Sequence, residues 1–184
     1  MTNTVLPPRT SNVIPRPFAH GYLYGSSSVI LTGVPNPEYT PEFVAAVDAG
    51  TIQPRDYTRV NHSFATAAGG VTSTADDVGV WIRALVNGRV LNHRYQRMWR
   101  QSPRPTVLAG MEYGFVCNRL FWGPNRLFLH GGETAGYNSE AAYDPANRLT
   151  LVVWTNLTVS PDGQLTANRL MLNVLDRAYK LSPL

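Results

Sequence analysis

The stretch from Tyr113 onward constrains the fold most. Apolar and β-branched segments at Tyr113–Phe121, Arg126–His130, Tyr137–Tyr143 and Leu149–Thr155 are separated by the turn signals Gly123-Pro124-Asn125 and Asp144-Pro145-Ala146-Asn147. Short apolar runs bounded by Gly, Pro, Asn and Asp read as strands. Connections this short join antiparallel neighbours, because a parallel crossover needs a dozen or more residues. The period then changes: Ala167, Leu170, Met171, Val174, Leu175 and Ala178 share one side of a helix predicted to begin at Ser160-Pro161-Asp162. An antiparallel meander with a C-terminal helix packed on one face is an α+β arrangement.

The preceding residues are of a different kind. Residues 1–37 are rich in Pro, Ser, Asn and Gly, with short apolar pieces at Gly21–Tyr24 and Val29–Leu31, and read as loop with one or two short strands. Thr40-Pro41-Glu42 opens a short helix that Gly50 closes. Residues 51–72 are irregular. Thr74-Ala75-Asp76-Asp77 resembles a capping box, and Val78, Trp81, Ile82, Leu85 and Val86 then form one buried helical face that ends at Asn87-Gly88. At a helix start, Asp76 and Asp77 are better explained as capping and dipole partners than as a catalytic carboxylate pair. A further helix runs from Asn92 to Arg100 and is expected to bury Tyr95, Met98 and Trp99. His93, Arg97, Arg100 and Arg104 lie along one side of it until Pro103 stops it. That side reads as a solvated face, with an anionic partner as the minor alternative. The whole chain, 1–184, is thus expected to be a single incomplete domain. A loop-rich, helical part with a small irregular subdomain spans 1–110, and the sheet with its C-terminal helix spans 111–184.

Composition excludes several classes. Hydrophobic residues at 43% and charged residues at 15% suit a globular chain. No apolar run approaches the ~20 residues of a membrane span. The N-terminus lacks the basic-then-apolar pattern of a signal peptide, and the compartment stays open. The net charge of +4 comes almost entirely from arginine, and no basic stripe with interleaved aromatics points to nucleic acid. Cys117 is the single cysteine, which excludes an internal disulfide or a cysteine-cluster metal site, and its apolar surroundings predict a buried thiol. His20, His62 and His93 read as surface or loop residues without metal-ligand spacing, so neither metal nor cofactor is expected. Asn61-His62-Ser63 and Asn156-Leu157-Thr158 match the glycosylation sequon, a weak signal alone.

Several segments in fixed order carry a resemblance. Met1-Thr2-Asn3-Thr4 is similar to a Gly-Met-x-x-Thr turn, and Ala19-His20-Gly21-Tyr22 to an Ala-x-Gly-Tyr segment. Ala68-Gly69-Gly70-Val71, with Ser73-Thr74-Ala75 and Asp77, is similar to an Ala-Gly-Gly-x-x-Ser-Thr-x-x-Asp helix opening. Tyr113-Gly114 and His130-Gly131-Gly132 follow in the expected order. Together they resemble serine hydrolases of the β-lactamase and penicillin-binding type, which include esterases, D-aminopeptidases and D-Ala-D-Ala carboxypeptidases. The resemblance covers that family's C-terminal half, with Met1 at an internal methionine of the pattern. The chain is therefore expected to begin inside the family's domain.

For a complete enzyme the resemblance implies a serine acyl-enzyme formed at an ester, amide, β-lactam or D-amino-acid peptide and then hydrolysed by water. His130 would polarise the base network or hold a substrate carboxylate. Gly131 and Gly132 would let the backbone approach the substrate, and the Glu133 backbone N–H would donate to the oxyanion, its side chain turned to solvent. Gly131 stands where many relatives carry Thr or Ser, which favours an esterase- or peptidase-like ancestor. The motifs Ser-x-x-Lys and Tyr-x-Asn do not occur: the one lysine, Lys180, follows Arg177 by three residues. The chain is therefore expected to be inactive alone. Two alternatives are a non-catalytic binding module derived from this fold and an independent hydrolase using Ser28 or Ser139. The apolar strand Leu149–Thr155 is expected to be a sheet edge that pairs with an N-terminal half or a second copy.

Overall fold

A computed structural model describes residues 1–26 and 39–180. Ser28 and the Val29–Leu31 segment lie outside the described residues. The helices are α1 (Pro41–Asp48), α2 (Ala75–Val86), α3 (His93–Gln101) and α4 (Thr166–Lys180), with a 3-10 turn at Ser63–Ala68. The strands are β1 (Tyr22–Leu23), β2 (Arg55–Asp56), β3 (Arg104–Pro105), β4 (Met111–Gly114), β5 (Cys117–Trp122), β6 (Asn125–Thr134), β7 (Tyr137–Asp144) and β8 (Leu149–Thr155). β1 pairs with β2, and the remaining strands form a six-stranded antiparallel meander in chain order from β3 to β8. The fold is α+β. Among the described residues β8 ends the sheet order, and no helix is long and apolar enough to cross a membrane. The chain divides into two compact units. One holds Met1–Thr4, Ser73–Gly131 and Glu140–Val152; the other holds Val5–Thr72, Gly132–Ser139 and Val153–Leu184.

In the first unit, Thr74 caps α2 by accepting from the Asp77 N–H. Asp77 does not complete a capping box. Its carboxylate accepts from Asn3 N and Thr4 Oγ1, each at 2.8 Å, and so anchors the first residues of the chain. The Thr4 hydroxyl bond is the main reason its carboxyl titrates below the usual range. The core gathers Ile82, Val86, Trp99, Cys117, Phe128, Ala141 and Tyr143, and Trp99 stacks on Phe128 with ring centroids 5.4 Å apart. Full burial of a large apolar side chain contributes roughly 1.5–3 kcal/mol, so this cluster is the principal support of the unit.

Both helices present narrower inward faces than their patterns predict. Trp81 is 45% exposed, Tyr95 53% and Met98 44%, while Gly79 and Gln96 are buried instead. A Cβ on Gly79 would touch the side chains of Thr150 and Val152 at 3.6 and 3.8 Å. That close approach centres the buried stripe of α2 on Gly79, Ile82 and Val86 and turns Trp81 outward.

The predicted single strand Tyr113–Phe121 is two strands, β4 and β5, joined at Phe115-Val116 with Gly114 opposite Cys117. Val116 has a φ of 53°, which a β-branched residue rarely adopts. An apolar turn without Gly, Asn or Asp carries no turn signal in sequence. Arg104 lies in β3, not on the α3 face. The turn after β7 is the expected one: Asp144 Oδ1 accepts from Ala146 N at 2.9 Å and from Asn147 N at 3.3 Å.

In the second unit, α1 begins as predicted, with Thr40 accepting from the Phe43 N–H. The Ala19–Tyr22 segment shows why glycine stands at position 21. A Cβ there would lie 2.6 Å from the Tyr137 ring and 2.8 Å from the Gly136 carbonyl oxygen. Helix α4 starts at Thr166, not at Ser160. Ser160 to Gly163 form a turn in which Gly163 N donates to the Ser160 carbonyl, and Gly163 has a φ of 81°. The helix buries Ala167, Met171 and Leu175, whereas Leu170, predicted to be inward, is 44% exposed.

Candidate active-site strand

Strand β6 is longer than the predicted Arg126–His130. Its ladder with β5 ends at Asn118 opposite Leu129, yet β6 continues through both glycines to Thr134. Leu127, Phe128 and Leu129 anchor the strand in the core, and His130 is exposed. The His130 ring lies 6.2 Å from that of Tyr113, and its Nδ1 is 2.5 Å from the Gly131 carbonyl oxygen. A carbonyl can only accept, so Nδ1 carries the hydrogen. In the neutral ring Nε2 is then the free acceptor.

In the second unit, Gly132 and Glu133 are both exposed, as expected for the acid. The Gly132 carbonyl accepts from Asn138 Nδ2 at 3.0 Å and from Ser139 Oγ at 3.2 Å. The peptide is planar and trans, so pinning this carbonyl directs the Glu133 N–H the opposite way. A Cβ at position 132 would stand 2.9 Å from Ser139 Oγ, so the glycine admits this bond. Asn138 is itself 2% exposed, and its Oδ1 accepts from Ala167 N at 2.7 Å and Asn168 N at 3.3 Å. One amide side chain therefore caps α4 and orients the peptide that carries the Glu133 N–H. Thr158, fully buried, accepts from Gly136 N at 2.8 Å and donates to the Thr134 carbonyl at 2.7 Å, holding the turn that follows β6. Sequence reasoning missed Asn138 and Thr158. The signal at Asn138 was a polar residue within apolar strand surroundings, whereas Thr158 lies just beyond β8 and was read only as part of the Asn156-Leu157-Thr158 sequon.

The other candidates resolve differently. The hydroxyl of Ser139 is engaged with the Gly132 carbonyl. Cys117 is buried, donates to the Leu129 carbonyl at 3.6 Å, and has its thiol pushed up to about 12 by desolvation. His62 lies in a loop, as expected, and is half-buried. Its ring meets that of Tyr137 edge-on at 6.4 Å, and burial lowers its pKa. His20 pairs with Asp56 at 2.9 Å, and Asp56 is held at about 2, first by the Thr58 hydroxyl and then by His20. Among the described residues no group of three or more His, Cys, Asp or Glu stands together to hold a metal. Glu140, on β7, is 6% exposed with Oε2 lacking a partner among the described residues, and desolvation raises its carboxyl to about 7.

The beta-lactamase family model matches residues 10–176, and the chain belongs to that family. Solved structures similar to it include the D-amino acid amidase from Ochrobactrum anthropi SV3 complexed with L-phenylalanine amide, at 21% identity and a TM-score of 0.68. That match covers 98% of this chain and 47% of the amidase. A D-stereospecific amidohydrolase from Streptomyces sp. matches at 20% identity and a TM-score of 0.65, over 85% of this chain and 39% of its own. The penicillin binding protein from Bacillus halodurans matches at 14% identity and a TM-score of 0.54, over 90% of this chain and 41% of its own. The chain thus spans less than half the length of each. No curated protein sequence matches it.

Proposed function

We propose that this chain forms the C-terminal, substrate-facing part of a serine amidohydrolase whose nucleophile and base, the Ser-x-x-Lys and Tyr-x-Asn elements, lie outside these 184 residues. The substrate class is an amide or short peptide of a D-amino acid, in line with the amidase and amidohydrolase similarity. The observation that carries this reading is the pinned Gly132 carbonyl, which aims the Glu133 N–H away from Asn138 and Ser139. Such a fixed donor stabilises the oxyanion of a tetrahedral intermediate, and losing one donor of this kind costs on the order of 100- to 1000-fold in rate. His130 holds its hydrogen on Nδ1 and presents Nε2 to a substrate or to the incoming base. Gly131 puts no side chain beside the strand, while the space next to Gly132 is taken by the Ser139 hydroxyl that helps hold its carbonyl. The edge strand β8 is the proposed pairing surface for the complementary polypeptide, with a second copy of this chain as the competing occupant.

The test is complementation. The chain alone is incubated with D-phenylalanine amide and a chromogenic cephalosporin, then with the separately produced N-terminal half of the Ochrobactrum amidase. The expected result is no turnover and no acyl adduct from the chain alone. The mixture should hydrolyse the amide, with the adduct on the added half and a large loss in the variant Glu133→Pro, which lacks the N–H. An acyl adduct on Ser139 of the isolated chain would overturn the proposal. So would complemented activity indifferent to the proline.

A further inference from the structure

Helix α3 departs from the usual helix electrostatics at its start and in having no acid, while Arg100 in its last turn follows them. Its nine residues, His-Arg-Tyr-Gln-Arg-Met-Trp-Arg-Gln, include three arginines and a histidine and no acid. Arg94 sits in the first turn, where the helix dipole disfavours cations. His93, Arg97 and Arg100 recur at a spacing that places them on one side, where the two arginine charges repel. None of the three makes an ion pair among the described residues.

That side is concave. His93, Gln96, Arg97, Arg100 and Gln101 line a recess of about 440 Å³ together with Asn87 from the end of α2. An adjoining recess of about 340 Å³ shares Asn87 and adds Arg83 and Arg89. No acid lines either one. The walls are held in place. Gln96 is 8% exposed and donates from Nε2 to the Leu85 carbonyl at 3.0 Å. Arg100 Nη2 donates to the Val86 carbonyl at 3.2 Å, which fixes its guanidinium and leaves other donors free. Asn87 Nδ2 is directed to the Tyr143 hydroxyl at 3.4 Å.

From this we infer a second binding site, separate from the β6 strand and independent of its proposed role: the recess at α3 takes a small phosphate-bearing dianion of the phosphomonoester type. Two guanidiniums can each offer paired N–H donors to phosphate oxygens, with the His93 ring as a further N–H donor on the same wall. The recess holds a compact ligand, which favours a small molecule over an extended acidic chain. Binding neutralises the cluster that the helix alone leaves uncompensated.

The experiment is titration of the full chain with inorganic phosphate and with glycerol 3-phosphate at low ionic strength, followed by calorimetry and by the thermal midpoint. Saturable binding is expected, together with a raised midpoint. Arg97→Gln and Arg100→Gln should each weaken binding on the order of tenfold. Arg177→Gln, an equal charge change on α4, should leave it unaltered. Arg97 is exposed, so its substitution leaves the fold intact, and the unliganded midpoint verifies this. Four results would overturn the proposal: no saturation at millimolar phosphate, equal weakening by Arg177→Gln, succinate binding as tightly as glycerol 3-phosphate, or binding of polyglutamate alone.

Discussion

Truncating Asn138 to alanine tests the link between the glycine strand and the C-terminal helix. The side chain makes three bonds: Nδ2 to the Gly132 carbonyl at 3.0 Å, and Oδ1 to Ala167 N at 2.7 Å and Asn168 N at 3.3 Å. Removing it leaves the Gly132 carbonyl with Ser139 Oγ alone and strips two N–H groups at the start of α4 of their acceptor. Loss of a helix cap costs about 1 kcal/mol, and each buried group left unpaired costs about 1–3 kcal/mol. Ala167 is fully buried, so water does not replace the lost acceptor there. One buried N–H left unpaired and one lost bond to Gly132 give an expected loss of about 2–4 kcal/mol, a sizeable part of the ~5–15 kcal/mol stability of an ordinary domain. Urea unfolding followed by circular dichroism gives the total, and amide hydrogen exchange gives the location. The Ala167 and Asn168 amides should lose protection first. Asn138→Asp keeps the acceptor at the helix start and loses the donor to Gly132, so it should cost about half as much. A loss below about 1 kcal/mol, with both amides still protected, would refute the reasoning.

Three further outcomes follow from other groups. Glu140 has its carboxyl raised from 4.5 to about 7 by burial. The folded state therefore binds the extra proton between those values, and stability falls as pH rises through 7 by on the order of 3 kcal/mol. Glu140→Gln should flatten that slope between pH 5 and about 8 and leave the variant more stable than the parent at the upper end; an unchanged slope would exclude Glu140 as its source. The Cys117 thiol, buried and shifted to about 12, should react with a thiol-specific disulfide reagent only as fast as the chain unfolds. Gly132→Ala places a Cβ 2.9 Å from Ser139 Oγ and should cost about 1 kcal/mol or more. Most of that cost should disappear when Ser139→Ala removes the hydroxyl, and a denaturation-based double-mutant cycle measures the coupling.

Where local signals dominate, the sequence by itself was decisive. The Thr40 and Thr74 caps, the Asp144 turn, the bounds of β8 and the order of strands then helix follow from capping, Asx-turn chemistry and short connections, all local in chain and strong in free energy. The family was also readable, because several short segments in fixed order resemble it, and the family model matches residues 10–176. Only the tertiary structure decided the rest. It turned Trp81, Tyr95, Met98 and Leu170 outward, because contact geometry, not periodicity, chooses the centre of a buried stripe. It folded Phe115-Val116 into a hairpin that no turn residue announces. It also gave Asn138 its double task of capping α4 and orienting the Gly132 peptide. The groups that Asn138 joins lie 6 and 29 residues away along the chain, and a hydrogen bond across such a separation leaves no periodic trace in the sequence.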